Sequence, residues 1–76
     1  MRSVREQWMF KAVYLEKSVR LSLLGTTWIM VDPTDPDTGE PDAYLAWKLA
    51  AGKAMRFTKG RPLLSLDLIC KYTEGD

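Results

Sequence analysis

The stretch VDPTDPDTGEPD, residues 31–42, holds five carboxylates and three prolines in twelve positions, and no helix or strand can run through it. Proline lacks the backbone donor that regular elements need, and it biases the residue before it away from helix. The chain is therefore divided into an N-terminal part ending at Val31 and a C-terminal part beginning near Asp42. Pro36 and Asp37 suit the centre of a turn, Gly39 can take positive φ, and Asp42 can cap a following helix. As a calcium loop the segment fails on register. With Asp35 at position 1 and Asp37 at 3, Gly39 falls at 5 instead of 6, and Ala46 stands where a bidentate Glu is required.

On the C-terminal side, Tyr44, Trp47, Ala51, Ala54 and Met55 recur at spacings of three and four, which predicts a helix over 42–57 packed through Tyr44, Trp47, Ala51 and Met55. Lys48, Lys53 and Arg56 fall on the opposite side, and Gly60 and Pro62 end the element. In LLSLDLICKYT, Leu64, Leu66, Leu68, Cys70 and Tyr72 alternate with polar residues, and only Ile69 breaks the period. The segment 63–72 thus reads as a half-buried strand with Cys70 on its apolar face; the alternative is a helix started by Pro62 with Asp67 and Lys71 on one side.

The first 31 residues read two ways. Aromatic and β-branched residues favour a hairpin, 8–15 paired with 19–31 through Glu16-Lys17-Ser18, with a bend or bulge at Gly25. Ser3-x-x-Glu6 is instead a capping box that would start a helix at Val4. The expected fold is α+β, a three-stranded antiparallel sheet with one main helix on a face. The runner-up is αβαβ with an N-terminal helix.

At 76 residues the chain forms a single domain, 1–76. With three Trp, three Tyr, two Phe and four Met it has ample material for a core. One cysteine excludes an internal disulfide and suits a reducing cytoplasm. The charged N-terminus is no signal peptide, and the longest apolar run, four residues, is too short to span a membrane. A soluble cytoplasmic protein is expected.

Function is read largely by exclusion. The chain has no His, so the commonest general base and metal ligand is missing and no Ser-His or Cys-His pair can form. No enzyme, metal or cofactor is expected. The formal net charge is +1, yet charge is blocked, with five acids and no base in 32–42 and five bases and no acid in 43–61. Trp, Tyr, Met and Arg are the residue types enriched in interface hot spots. The expectation is a non-enzymatic module acting stoichiometrically on a larger partner protein, with contact residues Asp35, Asp37, Glu40, Lys48, Lys53, Arg56 and Trp28. Its size and style match bacteriophage or mobile-element proteins that block a host machine by occupying its surface. The alternative is a nucleic-acid-binding accessory protein using the basic 48–61 region.

Overall fold

The structure, a computed structural model, describes residues 4–17 and 22–75. Four elements follow in chain order: β1 (Val4–Lys17), β2 (Ser22–Val31), α1 (Ala43–Arg56) and β3 (Leu63–Gly75). The sheet order is β2-β1-β3, with both outer strands antiparallel to the central one. The expected α+β fold is present. The N-terminal helix of the runner-up is not, because Val4–Lys17 is strand throughout. Its capping-box serine, Ser3, lies outside the described residues, as does the segment 18–21 between β1 and β2.

The hairpin pairs Trp8 with Val31 and continues in register to Lys17 opposite Ser22. No bulge interrupts β2 at Gly25, contrary to expectation. A side chain there would meet the Glu16 carboxylate, which lies across this position at 2.7 Å from an ideal Cβ. Gly25 thus leaves room for Glu16 to reach the Arg61 guanidinium, its ion-pair partner.

Because β2 and β3 flank β1 on opposite sides, the connection between them crosses one face of the sheet, and α1 lies in that crossing. The central strand supplies the floor of the core: Trp8, Phe10, Ala12 and Tyr14 are all buried, with Ile29 and Val31 beside them on β2 and Leu66 and Leu68 on β3. The helix meets this floor with alanines. Ala46, Ala50 and Ala54, one turn apart, are fully buried, while Tyr44 and Met55 stay 72% and 62% exposed. This corrects the expected packing face. Trp47 reaches the core only in part, its ring edge-on to Phe10 at 4.8 Å.

The physical reason is volume. The sheet already contributes large aromatic side chains, so the complementary surface on the helix must be small, and a stripe of Cβ atoms at i, i+4 and i+8 lets its backbone come close. Tyr14 confirms the proximity by donating its hydroxyl to the Ala54 carbonyl at 2.7 Å.

Two register shifts occur where β3 pairs with β1, between Met9/Phe10 and Val13/Tyr14. Leu64 and Ile69 are the extra residues, and both are exposed. The shift at Ile69 exchanges the faces of the strand: Leu66 and Leu68 point to the helix, but Cys70, opposite Met9, and Tyr72, opposite Gln7, point away. The single continuous apolar face expected for 64–72 does not form, and Cys70 is not on the helix-covered side. β-Bulges insert one unpaired residue and so invert alternation beyond them.

Candidate binding surfaces

The acidic segment folds as a stapled turn. The Asp35 carboxylate accepts from the Asp37 amide at 2.8 Å, and the Asp32 carboxylate from the Thr34 amide at 3.0 Å. Backbone bonds run from the Asp35 amide to the Glu40 carbonyl and from the Gly39 amide to the Asp35 carbonyl. Gly39 has φ 73°, the left-handed conformation that the turn requires. Thr34 and Pro41 form an isolated bridge that closes the loop at its base. Among the described residues, no group of three or more acidic, Cys or His side chains is arranged to hold a metal ion.

The loop delivers Asp42 to the helix N-terminus. Its carboxylate accepts from the amides of Tyr44 and Leu45 at 2.9 and 3.3 Å, so the expected N-cap is present. Asp42→Ala is expected to cost about 1 kcal/mol. Urea denaturation measures this directly, and an unchanged midpoint would show that the cap is not needed.

The basic residues divide sharply by what they already hold. Lys53 donates to the Met30 carbonyl at 2.7 Å, tying α1 to β2. Arg61 pairs with Glu16, donates to the carbonyls of Thr58 and Phe57, and stacks over the Tyr14 ring at 4.8 Å. It borders a groove of about 320 Å³ lined by Leu15, Lys59, Gly60 and Pro62, which those bonds hold together as a structural joint. Lys48 lies over the Tyr44 ring at 5.3 Å and is exposed, as are Arg56 and Lys59. Of the expected contact residues, Lys48 and Arg56 therefore stand on the outer side of the helix, Lys53 is engaged internally, and Asp35, Asp37 and Glu40 belong to the loop before its N-terminus.

Two apolar surfaces remain uncovered. The first is a flank of α1. Tyr44, Trp47, Ala51 and Met55, at i, i+3, i+7 and i+11, follow one stripe of the helix, next to the buried alanine stripe. It is the grouping that the sequence marks as a core face, and the structure turns most of it outward. The second is the side of the sheet opposite the helix. Pairing places Met9, Lys11 and Val13 of β1 there, together with Leu24, Trp28 and Met30 of β2 and Asp67, Cys70 and Tyr72 of β3. Trp28 is 55% and Leu24 68% exposed, and Lys11 approaches the Trp28 ring at 5.7 Å. Trp28, expected as a contact residue, is thus on the open side of the sheet, away from α1. The Tyr72 phenol is raised above its ordinary value, first by its hydrogen bond with Cys70 and then by repulsion from the same group, so it is neutral at physiological pH.

No helix among the described residues is long and apolar enough to cross a membrane. Comparison with known proteins finds no matching family model, no similar curated protein and no similar solved structure.

Proposed function

We propose that the protein is a non-enzymatic binding module that docks the exposed flank of α1 into an apolar groove on a larger partner protein, in the cytoplasm. One observation carries this reading: the helix buries Ala46, Ala50 and Ala54 and presents Tyr44 and Met55 outward, with Trp47 partly exposed between them. Large apolar side chains leave water at about 1.5–3 kcal/mol each when fully covered, so exposing two and part of a third along one stripe is costly unless a partner covers them. Helices that dock in grooves use anchors at this kind of spacing. Lys48 and Arg56 on the neighbouring outer side favour a groove with an acidic rim, and the loop Asp35–Glu40 adds a negative tip beside the N-terminus. Such charges set orientation and association rate more than affinity. Occupying the surface of a larger machine as a phage-type inhibitor would use the same contact.

Nucleic acid is less well supported. Of the five basic residues in 48–61, Lys53 and Arg61 already bond within the chain, and the most open aromatic of the sheet lies on the other side of the molecule. Three remaining cations would give weak binding with a shallow salt slope.

The test is an affinity measurement on the partner captured by the tagged protein. Tyr44→Lys with Met55→Lys is expected to abolish capture, and Lys48→Glu with Arg56→Glu to weaken it in a salt-dependent way. Lys53 is left intact because its loss would loosen the helix. Capture unchanged in the apolar double variant, or an effect on the target at strongly substoichiometric ratios, would reject the reading.

A further inference from the structure

We propose that the open face of the sheet is a self-association surface, on which a second copy of this chain packs face to face to give a dimer with helices outside and the two sheets inside. The surface is distinct from the helix flank, so the inference stands independently of the docking reading.

Area is the first argument. A compact monomer of this mass exposes about 4,700 Å², whereas the chain exposes 5675 Å². The excess, about 1,000 Å², is comparable to the roughly 800 Å² that each partner loses in a standard stable interface. Shape agrees: the radius of gyration is 15.0 Å, against about 11 Å for a compact domain of this length. Three strands of ten or more residues make a face about 14 Å wide and at least 33 Å long, and no element among the described residues covers it. It is the larger of the two uncovered surfaces.

Charge is the second. On this face Lys11 and Asp67 stand directly opposite each other across β1 and β3, and the register also places Arg5 opposite Glu74, with Lys17 at the hairpin end. A face whose opposite charges stand next to each other across strands selects against a strongly acidic or basic partner. It is complementary to itself, because under a two-fold each chain can offer its Lys11 towards the other's Asp67. The apolar remainder, Met9, Val13, Leu24, Trp28, Met30 and Tyr72, has the composition of an interface core with Trp28 as its anchor.

Geometry is the third. Twisted antiparallel sheets stack face to face at about −30° with side chains interdigitating. A sandwich of two copies would cover both sheets at once and leave both α1 flanks outside, available for two partner molecules. Bases stacking on Trp28 would need several cations around it, and among the described contacts its ring has Lys11.

Sedimentation equilibrium of the full chain is the test. At about 100 μM the expected mass is twice that of the chain. Trp28→Lys and, separately, Leu24→Lys are expected to weaken association at least about 30-fold, the loss that a central contact residue gives, with unchanged circular dichroism because both side chains are exposed in the single chain. Tyr44→Lys and Met55→Lys should leave the dimer intact, which separates this surface from the helix flank. A single-chain mass at every concentration overturns the proposal, as does a dimer indifferent to both sheet-face variants. Oligonucleotide binding lost in Trp28→Lys, without dimerisation of the wild type, would assign the face to bases and also overturn it.

Discussion

Replacing Phe10 by alanine is expected to lower the free energy of unfolding by about 3–5 kcal/mol, much of what a domain of this size possesses. At typical per-residue stability a 76-residue chain has about 4–11 kcal/mol in total. Phe10 is fully buried at the centre of the central strand, with Ile29 beside it on β2, Leu68 beside it on β3 and Trp47 against its ring edge. Ala46, Ala50 and Ala54 above it are too short to collapse into the void, and the helix backbone is already held close by Tyr14 and Lys53. Urea denaturation followed by tryptophan fluorescence would report the change. With a slope near 1 kcal/mol per molar for so small a domain, the midpoint should fall by several molar or the variant should be unfolded in buffer. A loss below 1 kcal/mol would mean that the helix does not rest on Phe10.

The second large effect tests which side of the helix faces the sheet. Ala50→Leu is expected to destabilise by about 1–3 kcal/mol through overpacking, and Ala50→Glu by more, since a carboxylate would be buried with no partner. On the same helix, Met55→Lys should change stability by no more than about 0.5 kcal/mol. Hydropathy alone gives the reverse order, because it puts methionine in the core and regards alanine as indifferent. If Met55→Lys proved the costly change and Ala50→Leu the neutral one, α1 would be rotated by about a quarter turn or more from the packing described, and the exposed flank that carries the docking reading would be the core.

Why the helix face was misread follows from these residues. Two apolar stripes run side by side on α1, one of alanines and one of Tyr44, Trp47, Ala51 and Met55. Periodicity of 3.6 detects both and cannot rank them by what lies opposite. The ranking depends on Phe10 and Tyr14, which are distant in sequence. Lys53 shows the same limit: its charge and position are plain in the chain, but only the fold shows that the Met30 carbonyl on an edge strand accepts a hydrogen bond from its ammonium.

Local chemistry in the sequence by itself pointed to the second and third strands, the one helix, the cap at Asp42, and the acidic segment as a turn, and left the first strand open against a helix. Proline geometry, side chain to backbone bonds and period-two alternation act within a few residues, so they are readable in the chain. The tertiary structure alone decided which helix stripe is buried, that Ile69 is a bulge residue and Cys70 turns to the open side, and that Gly25 makes room for the Glu16–Arg61 pair instead of kinking β2. Each of these depends on volume and register across strands far apart in sequence. A contact of that kind has no local signature, because the same residue in the same local conformation can satisfy its backbone on either face.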